Sequence, residues 1–126
     1  MRCLIVDDSA YFLEAARSLL EHGGMTVAGV ASNGSEALQR CDELRPDVTL
    51  VDIDLGQENG FDVAEQLTEQ TAPSPSPVIL ISAHSEVDFA DLVEASPAVG
   101  FLSKFDLSAN AIRHMLECAD WDTDPG

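Results

Sequence analysis

The chain has 126 residues and a formal net charge of −17, with 23 acidic residues against 6 Lys and Arg. This length fits one domain with a real core, and 45% hydrophobic content excludes a disordered chain. The charge argues against direct binding to nucleic acid or to an anionic membrane surface, because both draw affinity from Lys and Arg.

Short apolar runs alternate with longer amphipathic stretches, which predicts repeated strand–helix units and a parallel sheet. The predicted strands are, in chain order, Arg2–Val6, Thr26–Ala31, Asp47–Asp52, Val78–Ser82 and Ala98–Leu102. Four of them are nearly continuous apolar runs, as expected for strands covered by helices on both faces. The second is interrupted by Ala28-Gly29, which favours a position at the edge of the sheet.

Each predicted helix carries apolar residues at helical spacing and follows one strand. The predicted helices are Ala10–His22, Ser35–Leu44, Gly60–Gln70, Glu86–Ala95 and Ser108–Ala119. Ser85 and Ser108 are expected N-caps of the last two helices. Residues 120–126 are acidic and end in Pro-Gly, so we expect a domain of residues 1–119 followed by a frayed tail.

The cysteine pattern and the absence of a long apolar segment both bear on location. Cys3, Cys41 and Cys118 lack the close pairs used for zinc, which favours reduced thiols in the cytoplasm. No segment approaches the ~20 apolar residues that span a bilayer. We therefore expect a cytoplasmic protein.

Charged residues stand where predicted strands end. Asp7 and Asp8 follow the first strand, Asp52 closes the third, and Lys104, the chain's only lysine, follows the fifth. The carboxyl ends of strands in an open parallel sheet line one ligand-binding crevice. Carboxylates gathered there repel each other unless a cation joins them, and a hard divalent ion such as Mg²⁺ prefers oxygen ligands. These features predict a phosphate site built around one reactive aspartate.

The same residues lie in a series of motifs in a fixed order. The motifs are Leu4-Ile5-Val6-Asp7-Asp8-Ser9, Pro46 to Leu55 around Asp52, Asn59-Gly60, Ile79-Leu80-Ile81-Ser82-Ala83 and Gly100-Phe101-Leu102-Ser103-Lys104. In this order and spacing the chain resembles the receiver domain of two-component response regulators, from Arg2 to about Ala119. The resemblance implies an α/β fold: a flavodoxin-like, doubly wound (βα)5 sandwich with a five-stranded parallel sheet in the order 2-1-3-4-5.

The resemblance also implies a role for each charged residue. Asp52 is the expected phosphoacceptor, a carboxylate nucleophile that forms an acyl phosphate. Asp7 and Asp8 are expected to hold Mg²⁺ or Mn²⁺, together with a carboxylate oxygen of Asp52 and the backbone carbonyl of Asp54. Lys104 is expected to pair with the phosphoryl oxygens.

Further residues match the positions that respond to phosphorylation in this family. Ser82 is expected to donate its hydroxyl to a phosphoryl oxygen. Phe101 matches an aromatic position that turns inward when that hydroxyl moves. Asp54 and His84 match two variable positions beside the path of the hydrolytic water, where side chains modulate the lifetime of the phosphoryl group.

The function that the resemblance implies is a signalling module. A sensor histidine kinase or a histidine phosphotransfer protein would supply the phosphoryl group. The fourth helix, the fifth strand and the last helix (Glu86–Ala95 and Phe101 to Ala119) would form the face that binds an output protein or a second copy. Apart from its own phosphotransfer and autodephosphorylation we expect no enzymatic activity. A stand-alone receiver and a piece of a longer regulator would share this sequence.

Three alternatives remain open from the residues. Asp52-Ile53-Asp54 resembles the paired aspartates of haloacid-dehalogenase-type phosphatases, although Gly56 stands where those have Thr or Val, and turnover of small phosphomonoesters would identify one. A flavin-binding flavodoxin fits less well, because Asp7–Ala10 is acidic and has no glycine-rich phosphate cradle. A receiver-like scaffold that is never phosphorylated is the third alternative.

Overall fold

The structure, a computed structural model, describes residues 1–71, 76–83 and 90–123, with side chains as far as residue 117. Seven strands are present in these residues: β1 Arg2–Val6, β2 Thr26–Ala31, β3 Val48–Asp52, β4 Asp54–Leu55, β5 Glu58–Asn59, β6 Val78–Ser82 and β7 Gly100–Ser103. The α-helices described are α1 Ala10–His22, α2 Gly34–Leu44, α3 Gly60–Thr71, α4 Ala90–Ala95 and α5 Ala109–Thr123.

The main sheet has five parallel strands in the order β2-β1-β3-β6-β7. Counted among the five long strands, this is the predicted order 2-1-3-4-5, so the predicted flavodoxin-like fold is confirmed. Strands β4 and β5 form a separate antiparallel hairpin between β3 and α3, which the sequence did not predict.

Helices cover both faces of this sheet. Because side chains alternate along a strand, Cys3 and Ile5 of β1 belong to the core under α1 and α5, whereas Leu4 and Val6 belong to the core under α2 and α3. All four side chains are fully buried. Burying one large aliphatic side chain contributes about 1.5–3 kcal/mol, so the two cores hold the strand ends in place.

Strand β2 is the edge strand that its sequence predicts. Its register with β1 skips Ala28, since Cys3 is paired with Val27 but Leu4 with Gly29. A Cβ atom at Gly29 would lie 2.6 Å from a methyl carbon of Leu44. The glycine therefore lets α2 pack closely over the irregular edge.

Several element boundaries differ from the sequence prediction. Strand β3 begins at Val48, one residue later than predicted, and the carboxylate of Asp47 accepts the backbone N–H of Arg2 at 2.7 Å. Strand β7 begins at Gly100 and ends at Ser103, two residues later than predicted at its start. Helix α5 continues to Thr123, where a frayed tail from residue 120 was expected.

A serine cap explains where α5 begins. Ser108 accepts the backbone N–H of Ala111 on its hydroxyl at 3.0 Å, as predicted for the N-cap of α5. The predicted cap Ser85 and the first part of the predicted fourth helix lie outside the described residues.

Among the described residues, no helix combines the length and apolar character needed to cross a membrane.

The net charge of −17 predicts a stability that depends on salt. Self-repulsion destabilises a compact state, and the Debye length falls from about 10 Å at 0.1 M salt to about 3 Å at 1 M. We expect the thermal midpoint, measured by circular dichroism in the presence of chelator, to rise when KCl increases over this range.

A charge-reduced variant is the matched control. Replacing the exposed Glu14, Glu65 and Glu69 by Gln should make the rise in midpoint smaller. A wild-type midpoint that stays flat or falls between low and high KCl would contradict the prediction.

Candidate functional site

Two buried carboxylates lie side by side at the carboxyl edge of the sheet. Strands β1 and β3 are adjacent, with Val6 paired to Val51, so the next residues, Asp7 and Asp52, end neighbouring strands. Asp7 is fully buried and Asp52 is 4% exposed. Asp7 Oδ1 accepts the backbone N–H of Ser9 at 2.8 Å, which fixes that carboxylate.

Lys104 joins these two carboxylates from the end of β7. Its ammonium nitrogen lies 2.6 Å from Asp7 Oδ2 and 3.3 Å from Asp52 Oδ2. Ser103 caps a short 3-10 turn over Lys104–Asp106 by accepting the backbone N–H of Phe105. These distances place Lys104 at the acidic cluster.

Phe12 is a residue of this site that sequence reasoning missed. The ammonium of Lys104 lies 4.3 Å from the centroid of the Phe12 ring, a distance typical of a cation–π contact. Phe12 belongs to the apolar stripe of α1 and is also packed against the core. Its sequence position therefore indicates only a core residue, and nothing in the helical pattern identifies the contact with lysine.

The proximity of these charges changes how they titrate. Burial, and next the charge of Asp7, raise the pKa of Asp52 from 3.8 to about 6, and the ammonium of Lys104 only partly opposes this. Burial by itself would lower the pKa of Lys104, but the hydrogen bond to Asp7 and the charges of both carboxylates raise it. The site without a further cation is thus short of positive charge.

Three carboxylates are placed so that one metal ion can contact them all. Oxygen atoms of Asp7, Asp8 and Asp52 lie within 4.8 Å of one another, and Asp8 is the exposed member. This donor set is all oxygen, two of its members are buried, and it is undercompensated in charge. Those properties fit a hard divalent ion such as Mg²⁺.

Asp54 lies beside this cluster, as expected from the sequence. Its backbone N–H donates to Asp52 Oδ1 at 3.2 Å, and its side chain is exposed. Asp54 also contributes to the wall of an open cavity of about 290 Å³ above the carboxylates. The cavity is lined by Asp7, Asp8, Ser9, Asp52, Asp54, Gly56, Ser82, Ala83 and Lys104.

The two predicted switch residues occupy different places. Ser82 is buried at the end of β6, paired in register with Ser103, and it lines the cavity. Phe101 is 7% exposed and belongs to the same apolar core as Leu4 and Val6. His84, the other predicted modulating residue, lies outside the described residues.

A glycine permits the tight return of the chain behind Asp52. The backbone N–H of Gly60 donates to the carbonyl of Ile53 at 2.8 Å. A Cβ atom on Gly60 would overlap the carbonyl oxygen of Asp52 and lie 2.6 Å from the Cα of Ile53. This close approach of backbone explains why the Asn59-Gly60 motif contains glycine.

Comparison with known proteins agrees with this geometry. The model of the response regulator receiver domain family matches residues 3–117. The chain belongs to this family. Its membership sets aside the flavodoxin and haloacid-dehalogenase alternatives, whereas the receiver-like scaffold remains to be tested.

Relatives of the receiver domain include larger proteins and isolated domains. A protein-glutamate methylesterase/protein-glutamine glutaminase of Archaeoglobus fulgidus is 33% identical over 108 residues, which are 84% of this chain and 30% of that protein. The chain spans 20% to 30% of the length of the first curated relatives it matches.

Solved receiver domains superpose closely on the chain. The signal receiver domain of the response regulator NarL from Mycobacterium tuberculosis has a TM-score of 0.78 at 31% identity, covering 94% of this chain and 95% of that one. The response regulator domain of Thermotoga maritima CheB has a TM-score of 0.74 at 26% identity, covering 99% of this chain and 98% of that one.

The raised pKa of Asp52 predicts a pH-dependent stability of the metal-free protein. Between about pH 4 and about pH 6 the folded state binds more protons than the unfolded state, so stability falls as the pH rises through this window. Relative to Asp52→Asn, we expect wild type to lose roughly 2–3 kcal/mol of unfolding free energy across it. Urea unfolding in chelator at several pH values measures this.

A surface aspartate supplies the control for this pH series. Asp42 on α2 is exposed, so the difference between wild type and Asp42→Asn should change little over the same pH range. If the difference between wild type and Asp52→Asn were also independent of pH, Asp52 would not titrate as described.

Gly60→Ala tests the close backbone approach behind Asp52. We expect a loss of about 1–3 kcal/mol in unfolding free energy, the usual cost of overpacking, because backbone atoms must move to admit the methyl group. Gln66→Ala, at an exposed site on the same helix, is the control and should be nearly neutral. Equal unfolding free energies for the two variants would contradict the steric explanation.

Proposed function

We propose that this receiver domain accepts a phosphoryl group on Asp52. The observation that carries the proposal is the position of Asp52 at an open cavity, with the ammonium of Lys104 at 3.3 Å from its carboxylate. The donor would be a phosphohistidine of a sensor histidine kinase or of a histidine phosphotransfer protein. Phosphoryl transfer needs little covalent chemistry from a protein beyond positioning and charge stabilisation, and the site supplies both.

The transfer itself uses the chain's own carboxylate. An oxygen of Asp52 attacks phosphorus, a P–O bond forms, and the P–N bond to the donor imidazole breaks with its electron pair leaving on nitrogen. The backbone N–H of Asp54 orients the nucleophilic carboxylate through Oδ1. Lys104 offsets the negative charge that develops on the phosphoryl oxygens.

Mg²⁺ or Mn²⁺ is the proposed cofactor of this reaction. Asp7, Asp8 and a carboxylate oxygen of Asp52 would hold the ion, with the backbone carbonyl of Asp54 completing the protein ligands. When bound, the ion supplies positive charge to the phosphoryl oxygens and offsets the repulsion among the carboxylates.

Phosphorylation would then alter the state of the sheet edge. Ser82 lines the cavity and would donate its hydroxyl to a phosphoryl oxygen, and the buried Phe101 is the aromatic residue that would respond to this movement. The side chains of Asp54 and His84 would modulate the hydrolysis of the acyl phosphate. A new anionic group of this kind can bias a two-state face of the protein.

The proposed output surface is the face formed by α4, β7 and α5. Leu92 of α4 is 54% exposed and Val99, just before β7, is 36% exposed, which leaves apolar contact area for a partner. This face would bind an output protein or a second copy of the chain. Because the relatives are methylesterases of greater length, we propose that this chain regulates an output activity rather than being an enzyme itself.

Charge and composition support a proposal about the cellular location. A net charge of −17 gives no basis for direct contact with nucleic acid or membranes. We propose that the receiver acts in the cytoplasm. We also propose that the receiver domain comprises residues 1–119 and that the acidic residues 120–126 follow it in sequence.

Intact-mass spectrometry after incubation with acetyl phosphate tests the proposed function. Wild type should gain one phosphoryl group in the presence of Mg²⁺ and lose it in mild base, because the product is an acyl phosphate. Asp52→Asn should gain none, and Asp42→Asn, which removes an exposed carboxylate of α2, should behave as wild type.

Each other result has a defined meaning. An adduct that persists in Asp52→Asn would overturn the assignment of the phosphoacceptor. Release of inorganic phosphate without an adduct supports the proposal only if Asp52→Asn abolishes the release. If wild type gives neither adduct nor phosphate and binds no Mg²⁺, the scaffold alternative replaces the proposed function.

A further inference from the structure

The hairpin formed by β4 and β5 lies against the acidic site. It begins two residues after Asp52 and pairs Asp54 with Asn59 and Leu55 with Glu58. Its turn contains Gly56 at φ +69°, and a Cβ atom there would lie 3.2 Å from a carboxylate oxygen of Asp8. The position of this hairpin therefore decides where Asp54 and the turn stand relative to the clustered carboxylates.

Glu58 connects the outer strand of the hairpin to a helix that is distant in sequence. Its Oε1 accepts the backbone N–H of Gly34, the first residue of α2, at 3.0 Å across 24 positions of sequence. A Cβ atom at Gly34 would come within 2.5 Å of Oε2, so the glycine makes room for the carboxylate. An acceptor with negative charge is favourable at a helix N-terminus, where unpaired N–H groups and the positive end of the dipole lie.

Helix α2 does not need Glu58 in order to begin. Asn33 caps it by accepting the backbone N–H of Glu36 at 2.8 Å, and Glu36 in turn accepts the backbone N–H of Ser32 at 2.8 Å. The helix start is thus fixed by local contacts. The main effect of the contact between Glu58 and Gly34 is therefore to fix the hairpin, because the helix is already fixed by its own contacts.

The remaining anchors of the hairpin lie at its inner side. Leu55 is 4% exposed and packs into the core, and Asn59 accepts the backbone N–H of Phe61 at 2.8 Å to start α3. Loss of the Glu58 contact would therefore loosen the hairpin without detaching it. A graded effect on the site is expected.

We propose that Glu58 is a positioning residue of the acidic site. By accepting the backbone N–H of Gly34 it holds the β4–β5 hairpin, and with it Asp54, in place. This inference rests on the proposed function for its consequence, because the proposed metal ligands include the backbone carbonyl of Asp54. Glu58 is neither a proposed metal ligand nor a reacting group. It acts on the site through the hairpin.

Two substitutions separate the effect of the hydrogen bond to Gly34 from the effect of the negative charge of Glu58. Glu58→Ala removes the acceptor, whereas Glu58→Gln keeps an acceptor oxygen and removes the charge. By titration calorimetry we expect Glu58→Ala to bind Mg²⁺ about threefold to tenfold more weakly, the factor of one hydrogen bond, and Glu58→Gln to stay within about twofold of wild type. Glu65→Ala, an exposed glutamate on α3, should bind as wild type.

Amide hydrogen exchange in metal-free protein gives a second readout. Exchange at Gly34 and at residues 54–58 should be faster in Glu58→Ala than in wild type and restored in Glu58→Gln. The proposal is overturned if Glu58→Ala matches wild type in both measurements, or if Glu58→Gln binds Mg²⁺ as weakly as Glu58→Ala. If wild type binds no Mg²⁺ and gives neither adduct nor phosphate, the proposed function fails, and hydrogen exchange alone decides the anchoring role. Faster exchange in Glu58→Ala then supports that role, and unchanged exchange rejects it.

Discussion

The contact of one ammonium group with two buried carboxylates is the interaction on which this site depends. Removing carboxylates from water is costly, and Asp7 and Asp52 are nearly inaccessible. Lys104 reaches both from a third strand. It is the only lysine in the chain, and it lies where three strands end together.

The parallel sheet makes this arrangement possible. Strands β1, β3 and β7 run in the same direction, so residues far apart in sequence end at one edge. The two apolar cores then fix the register of the strands, and with it the positions of their ends, since side chains on both faces of β1 are fully buried. A one-residue slip would exchange the two faces of a strand and also remove its terminal residue from the site.

Sequence reasoning identified the parts of the site that follow from strand ends. Asp7, Asp52 and Lys104 stand at the ends of apolar runs, and each run predicts a strand from its local sequence alone. In any parallel sheet the carboxyl ends of the strands meet at one edge, so these three residues are expected to lie close together. Phe12 and Glu58 escaped prediction because their contacts depend on how α1 and α2 pack, which periodicity does not report. The hairpin after Asp52 was also missed, since two-residue strands carry no periodic signal.

The charge balance of the site also explains why the stability of the metal-free fold and the attraction of the site for a cation oppose each other. The three clustered carboxylates and one ammonium leave two uncompensated negative charges, the amount that one divalent ion neutralises. Until such an ion binds, burial and then repulsion by Asp7 raise the pKa of Asp52 to about 6, and this lowers the stability of the folded state at neutral pH. A better-compensated site would be more stable but would attract a cation less strongly, so the residual negative charge is the property that makes the site suited to bind one.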